Sequence, residues 1–253
     1  MNVIAVIPAR FASSRFPGKP LALISGMPMI ERVYRRVKQA GVFREVLVAT
    51  DDRRIADLVV GFGGRAVMTS PRLPSGTDRM YAALRGRKYE WALNVQGDEP
   101  MVPPALLKAL VRRSGAIKVP SIITAAHPIS AEEARDPNNV KVVVTAKGKA
   151  LYFSRASIPD IRRAESDIDA EKALLKHIGL YLFHREALAR FVKEKPSRLE
   201  KLEKLEQLRA YEAGIPIEVV KTGYRPVNVD VPSDIAKVEA LLRRAPKRKK
   251  RER

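Results

Sequence analysis

Three cationic residues, Arg10, Arg15 and Lys19, follow the first apolar segment of the chain, Val3 to Ile7, and no acidic residue lies among them. An apolar run that is this short and rich in β-branched residues predicts a buried strand of a parallel sheet. Ligands of open α/β sheets bind just beyond the carboxyl ends of the strands. Three cations at that position therefore indicate an anion site, and a polyphosphate is the anion that fits them best.

The loop that carries these cations has a restricted backbone, because it contains Pro17 and Pro20 on either side of Gly18. A restricted loop can hold charged side chains in one geometry, whereas the alternative is a solvated basic turn. The segment is not a P-loop. Ser13 stands where the first glycine of that motif belongs, and Pro20 stands where its hydroxyl residue belongs.

Two carboxylates are candidates for a metal site at the same edge. Asp98 follows a second apolar run, Trp91 to Val95, and Gly97 before it allows close approach of the backbone to a ligand. A carboxylate beside a polyphosphate is repelled unless a metal lies between them, and Mg²⁺ is typically held by one or two carboxylates together with phosphate oxygens and water. Asp230 is the candidate for the second carboxylate, and its alternative role is N-cap of the last helix.

A further anion contact is expected where Ser75, Gly76, Thr77 and Arg79 open a predicted helix. A helix N-terminus offers free N–H donors and positive potential, so this segment could hold a base or a phosphate, with Arg79 as an additional cation. The alternative is that Ser75 is only the N-cap. The local sequence leaves both readings open.

Strands and helices that would position these residues alternate through the first half of the chain. Strands are predicted at Val3–Ile7, Glu45–Ala49, Arg65–Met68 and Trp91–Val95. Helices are predicted at Met29–Gln39, Asp52–Val60, Ser75–Leu84 and Pro104–Arg113. Such βαβα alternation predicts an α/β fold with a doubly wound, mainly parallel sheet.

The second half has a different pattern. A β-hairpin is predicted from Val140–Thr145 and Ala150–Phe153, with further strands at His177–Phe183 and Ile217–Val220 and helices at Ser197–Ala213 and Pro232–Leu242. Leucines 199, 202, 205 and 208 recur at every third position of the first helix and indicate a core or dimer contact. We expect one domain over residues 1–245, in which residues 115–190 contribute a smaller β-rich dimerisation lobe, and a disordered basic tail at 246–253.

The composition narrows the function classes. The net charge is +20, and the segment Arg243 to Arg253 contributes +7 of it. Nucleic-acid binding is one interpretation, and an enzyme for anionic substrates is the other. The basic residues are spread along the chain with few aromatics among them, so we favour the enzyme and leave the tail open. The absence of cysteine excludes thiol catalysis and disulfides, and no apolar run is long enough to span a bilayer; a cytoplasmic location is expected.

Several motifs together resemble one family, the 3-deoxy-manno-octulosonate cytidylyltransferases, or CMP-Kdo synthetases. The matching segments occur in the family's order and are Pro8–Pro20, Ser75–Arg79, Asn94–Pro100, Pro137–Val143, Tyr152–Pro159, His177–Tyr181, Leu205–Arg209 and Val229–Asp230. The chain departs from the family pattern at Asn228, where glycine is more usual, but Asp230 is retained. The basic tail lies outside the match.

The resemblance implies a Rossmann-like nucleotide-diphospho-sugar transferase fold, in proteins that are usually dimeric. It implies transfer of CMP from CTP to Kdo, an acid sugar, with release of pyrophosphate, in service of lipopolysaccharide-type glycan synthesis. The closest alternatives keep this chemistry with another acceptor, 8-amino-Kdo or a nonulosonic acid. A non-catalytic anion- or RNA-binding protein is a more distant alternative, which the two carboxylates disfavour because a phosphate binder gains nothing from them.

The family pattern also implies residue roles. Catalysis would fall to Asp98, Asp230, Lys19 and Arg10, and the two aspartates would hold Mg²⁺. The residues implied to bind CTP are Arg10, Ser13, Arg15, Lys19, Ser75, Gly76, Thr77 and Arg79. The residues implied to line the sugar site are Gln96, Arg155, His177, Tyr181, Glu206 and Gln207.

Overall fold

A computed structural model describes residues 1–12, 15–163 and 169–244. Within them eleven strands form: β1 Val3–Ala9, β2 Leu23–Ile24, β3 Met27–Pro28, β4 Glu45–Thr50, β5 Ala66–Met68, β6 Trp91–Asn94, β7 Ile122–Pro128, β8 Lys141–Val144, β9 Ala150–Ser154, β10 Leu175–His184 and β11 Ile217–Lys221. The same residues form nine α-helices: α1 Met29–Gln39, α2 Arg53–Gly61, α3 Gly76–Ala83, α4 Pro104–Ser114, α5 Ala131–Arg135, α6 Arg185–Phe191, α7 Arg198–Glu203, α8 Gln207–Glu212 and α9 Asp234–Arg244. The predicted α/β fold is confirmed.

Nine of these strands form one sheet, whose main order is β11-β7-β10-β6-β1-β4-β5. β1 runs parallel to both β4 and β6, β4 is parallel to β5, and β7 is parallel to β11. β10 is antiparallel to β6 and to β7 and joins the two parallel parts. Because β1 and β6 are parallel neighbours, the loops that follow them emerge at the same edge of the sheet.

The apolar run of β1 is buried because helices cover both faces of the sheet. Ala5 and Ile7 pack into the cluster formed with α1, α2 and α4, whereas Ile4 and Val6 pack into the cluster formed with α3, α6 and α8. Alternate residues of a strand point to opposite faces, so a strand covered on both sides has no polar face.

One predicted helix is wrong. Instead of a continuous helix over 197–213, the chain forms α7 and α8, separated at Lys204, whose φ is +56°. A three-residue step falls short of a helical turn by about 60°, so four leucines at that step drift around a straight helix and cannot all face one core. The break buries Leu205 and leaves Leu202 69% exposed.

The segment predicted as a β-rich lobe contributes strands to the main sheet. β7, which the sequence analysis did not predict, and β10 lie between β11 and β6 in that sheet. The predicted β8–β9 hairpin pairs with β10 at Lys176. The role of this region in dimerisation stays a prediction. The tail at 246–253 lies outside the described residues, and none of the described helices is long and apolar enough to cross a membrane.

Candidate active site

The cationic loop folds back on itself beyond β1. The amide of Gly18 donates to the carbonyl of Phe11 (2.9 Å), and Gly18 has φ +70°, which favours glycine. The guanidinium of Arg54 stacks over the Phe11 ring, 3.5 Å from its centre. These contacts direct the chain so that Lys19 returns to the sheet edge. Ser13, one of the predicted triphosphate ligands, lies outside the described residues.

The two predicted metal carboxylates lie together on either side of Lys19. Its Nζ is 2.7 Å from Oδ2 of Asp98 and 3.6 Å from Oδ1 of Asp230. Arg15 also contacts Asp230, with Nη2 3.0 Å from Oδ1. The carbonyl of Asp98 accepts a hydrogen bond from the amide of Val229 (3.0 Å), so the backbone joins two segments that are distant in sequence.

Close packing brings the Asp98 loop against the end of β1. A Cβ atom added to Gly97 would lie 3.0 Å from the carbonyl oxygen of Pro8, which is tighter than nine in ten real Cβ contacts. Glycine therefore favours the close approach that places the carboxylate of Asp98 beside the cationic loop.

The surroundings of Asp230 argue against its alternative role as a helix cap. α9 begins at Asp234, whose own carboxylate accepts the amides of Asp230 and Val231 at 3.0 and 3.1 Å. Lys237 and these amides lower the pKa of Asp234 to about 2. Asp230 is thus left to contact Arg15 and Lys19.

This donor set suits Mg²⁺ better than a metal that requires a full protein cage. The described residues contain no cluster of three or more His, Cys, Asp or Glu side chains that could hold a metal. Asp98 and Asp230 could supply two hard oxygen ligands, and Mg²⁺ commonly takes its remaining ligands from phosphate and water.

Ser75 is the N-cap of α3, as predicted, and its hydroxyl accepts the amide of Asp78 at 3.1 Å. The structure adds a second contact. Oε1 of Glu206 lies 2.9 Å from the Ser75 hydroxyl, and Oε2 accepts the hydroxyl of Thr77 at 3.1 Å. Burial raises the pKa of Glu206, and the two hydroxyls oppose that shift. Glu206, predicted to line the sugar site, is therefore fixed to the helix predicted to hold the nucleotide.

Arg79 requires a correction. It is fully buried, and its Nη2 is 2.8 Å from Oδ2 of Asp51, while Nη1 contacts the hydroxyl of Thr69. A buried guanidinium paired in this way ties α3 to the segments that follow β4 and β5, and a nucleotide could not reach it. Arg10 lies nearer the surface and donates to the carbonyl of Leu73.

A cavity of about 420 Å³ adjoins the carboxylates. It is lined by four of the predicted sugar residues, Gln96, His177, Tyr181 and Gln207, and by Asp230. A larger cavity of about 810 Å³ lies against α1, but cations such as Arg32, Arg36 and Lys38 line it and no carboxylate does. The smaller cavity is therefore the candidate for the substrate that reacts beside Asp98 and Asp230.

Hydrogen bonds orient the side chains of this cavity. Tyr181 donates its hydroxyl to Oε1 of Gln207 (3.1 Å), and Gln96 donates to the carbonyl of Gly179 (3.3 Å). The Thr124 hydroxyl donates to the carbonyl of Leu180 (2.7 Å) and lies 2.9 Å from Nε2 of His177. Since the single proton of Thr124 goes to the carbonyl, His177 carries its proton on Nε2 and donates it to Thr124.

Burial keeps two of the cavity side chains, His177 and Tyr181, neutral. It lowers the pKa of His177 to about 3 and raises the pKa of Tyr181. Both groups are therefore uncharged hydrogen-bonding groups around neutral pH, as binding of sugar hydroxyls requires.

Arg155 makes backbone contacts beside the cavity that the sequence did not predict. Its guanidinium donates to the carbonyls of Glu203 (2.8 Å) and Pro137 (3.0 Å), and it lies in the wall of the cavity and not on its lining. The charged side chain connects two loops by their backbones, and its predicted direct contact with the sugar has no support in this geometry.

The sequence analysis missed several lining residues: Asn138, Asn139, Lys176, Asn228 and Glu99. Two of the asparagines lay within a motif quoted for the resemblance, but no chemical pattern singled them out. Glu99 is 2% exposed, and burial raises its pKa to about 8. Its place next to Asp98 was the signal that could have found it.

Comparisons with known proteins decide the family. A family model described as cytidylyltransferase matches residues 4–222. The chain belongs to the cytidylyltransferase family. Relatives named 3-deoxy-manno-octulosonate cytidylyltransferase include a protein of Myxococcus xanthus, 50% identical over 96% of this chain and 97% of its own length. A relative of the same name from Nitratidesulfovibrio vulgaris is 52% identical over 94% of this chain and 95% of its own length. The predicted resemblance is confirmed.

Solved structures agree with this cytidylyltransferase assignment. A CMP:2-keto-3-deoxy-manno-octonic acid synthetase complexed with CTP superposes with a TM-score of 0.91 at 41% identity, covering 96% of this chain and 99% of that one. A putative glucose-1-phosphate thymidylyltransferase from Bacillus anthracis, 14% identical with a TM-score of 0.67, shares the fold alone.

Proposed function

We propose that this enzyme transfers CMP from CTP to the anomeric hydroxyl of Kdo and releases pyrophosphate. The observation that carries the proposal is the convergence of Asp98 and Asp230 on Lys19, beside a polar cavity. The names of the relatives and the CTP complex of the structural neighbour support the choice of both substrates.

The cationic edge would bind the triphosphate. Arg10, Arg15 and Lys19 supply three positive charges near the carboxyl end of β1, and the N-terminus of α3 adds free amides at Gly76 and Thr77. Holding the α-phosphate in line with the acceptor hydroxyl supplies much of the rate enhancement in such a transfer. Bound Mg²⁺, held by Asp98 and Asp230, would neutralise phosphate charge and lower the pKa of the attacking hydroxyl.

The cavity would bind the sugar through Gln96, His177, Tyr181 and Gln207. In the reaction a bond forms between the anomeric oxygen and the α-phosphorus, and the bond from that phosphorus to the bridging oxygen of pyrophosphate breaks. Arg155 and Glu206 would act from the walls, by holding loops and the start of α3. A homodimer, a cytoplasmic location and a role in lipopolysaccharide-type glycan synthesis complete the proposal.

The test is pyrophosphate release with each of CTP, UTP, ATP and GTP against Kdo, 8-amino-Kdo and a nonulosonic acid, with Mg²⁺ present. We expect CTP with Kdo to give the highest kcat/KM. A higher value with another sugar would move the assignment to that acceptor. Absence of release with every pair would overturn the proposed activity.

A further inference from the structure

Lys141, the first residue of β8, is a fully buried lysine. Its Nζ donates to two main-chain carbonyls, of Arg155 (2.6 Å) and Asp136 (3.1 Å). Among the described residues it forms no ion pair; burial lowers its pKa, and the carboxylates of Asp136 and Glu203 oppose that lowering only in part. Burying an ammonium group costs free energy that neutral carbonyls only partly offset, and an apolar side chain would fill the same space without that cost.

The two carbonyls belong to different loops. Asp136 begins the loop that carries Asn138 and Asn139, which line the cavity. Arg155 follows β9 and lies in the wall of the cavity. One ammonium group therefore connects the lining loop to the wall loop, since each carbonyl accepts one of its protons.

The Arg155 side chain completes the connection. It donates to the carbonyl of Pro137 in the first loop and to the carbonyl of Glu203 at the end of α7. The carboxylate of Glu203 in turn accepts the Arg155 amide (2.9 Å) and the hydroxyl of Ser154 (2.6 Å). The chain continues from Glu203 to Leu205 and Gln207, which also line the cavity. Three walls are thus joined through the backbone that Lys141 holds.

We propose that Lys141 is a positioning residue for the acid sugar: it holds the Asp136–Asn139 loop and Arg155 in the arrangement that the acceptor requires. This inference rests on the proposed function, because it takes the cavity as the acceptor site. Lys141 lies on neither the cationic edge nor the start of α3, so its effect is selective for the acceptor over CTP.

The test compares Lys141→Met with the wild type in two measurements. In steady-state kinetics, losing these charge-assisted hydrogen bonds raises the KM for Kdo by about tenfold and leaves the KM for CTP within about twofold. In hydrogen–deuterium exchange, amides of residues 136–140 and 154–156 exchange faster, while those of β1 and β6 do not change. Val142→Ala, a neighbouring buried apolar change, is the control for general destabilisation. It should leave the KM for Kdo and the KM for CTP at their wild-type values.

Lys141→Gln, which keeps an N–H₂ donor, should raise the KM for Kdo by less than Lys141→Met does. It replaces the methionine variant in both measurements if that variant does not fold. A double variant with Arg155→Ala is the further check, since a shared role makes the two effects on the KM for Kdo less than additive. Equal rises in both KM values, or unchanged exchange in both loops, would overturn the inference. A wild-type enzyme inactive with Kdo would instead contradict the proposed function, and the exchange measurement would still decide the role of Lys141.

Discussion

The two halves of the candidate site differ in the charge of their side chains. At the ends of β1 and β6, Lys19, Asp98 and Arg15 are charged, and the side chains of the last two are 24% and 66% exposed. In the cavity beside β10, His177 and Tyr181 are buried, and burial keeps both neutral.

This difference assigns a separate task to each half. Stabilising charge that develops at a phosphorus atom requires fixed charges and a cation, which the sheet edge provides. Selecting a polyhydroxylated acid requires oriented hydrogen bonds, which a neutral network supplies without repelling or trapping the ligand. Changes at the edge should therefore reduce kcat, and changes in the cavity should raise the KM for the sugar.

The largest effect is expected from Asp98→Ala. Losing one of the two carboxylates proposed to hold Mg²⁺ should lower kcat for pyrophosphate release on the order of 100- to 1,000-fold, because charge stabilisation at the transferred phosphate is lost. The measurement is steady-state release from CTP and Kdo, with circular dichroism to verify the fold. Asp57→Ala is the matched control, since Asp57 is an exposed aspartate that pairs only with Arg53 on α2 among the described residues. A kcat within threefold of wild type would remove Asp98 from the site.

A smaller and different effect is expected from Tyr181→Phe. Removing the hydroxyl that donates to Gln207 should raise the KM for the sugar about tenfold and leave the KM for CTP unchanged. Tyr81→Phe is the control, because the Tyr81 hydroxyl makes no hydrogen bond to another described residue. If Tyr181→Phe lowered kcat and left the sugar KM unchanged, the division between edge and cavity would be wrong.

The smallest effect concerns stability. Folding lowers the pKa of His177 from 6.5 to about 3, so the unfolded chain binds more protons between these values. The stability contributed by neutral His177 is complete above pH 6.5 and is lost as the pH falls toward 3. In His177→Gln, the slope of the unfolding free energy with pH between 4 and 6 should decrease by about 1 kcal/mol per pH unit. Urea unfolding at several pH values measures it.

Ile178→Val is the control for that measurement. It weakens the same strand by a small cavity but changes no titratable group, so the free energy should decrease by a similar amount at every pH. An unchanged slope in His177→Gln would show that folding does not lower the pKa of His177, and burial would then not be what keeps this side chain neutral.

Sequence patterns predicted the parallel half of the molecule well. β1, α1, β4, α2 and β6 have strong apolar periodicity, and the predicted boundaries agree with the structure to within one or two residues. The place of Asp98 beside the cationic loop was also predictable, because Asp98 follows β6, the parallel neighbour of β1, and the two strand ends share an edge. Asp230 follows no strand that neighbours β6, so its association with Asp98 was indicated by the family resemblance.

The cavity half was less predictable, because long-range pairing decides it. β7 lies between β10 and β11, and its residues Thr124 and His127 interrupt the apolar pattern that marks a strand. Arg79 and Arg155 look like ligand cations in the sequence, yet the structure pairs one with Asp51 and the other with backbone carbonyls. The partner of a charged side chain cannot be predicted from local sequence when that partner is distant in the chain.

The most direct test of the central claim is the stoichiometry of products from CTP, Kdo and Mg²⁺. Pyrophosphate and the CMP-linked sugar are measured in the same reaction, with and without the sugar. The account predicts equal amounts of both products, and no pyrophosphate when the sugar is omitted. Release of inorganic phosphate in place of pyrophosphate, or pyrophosphate formed without the sugar, would contradict it.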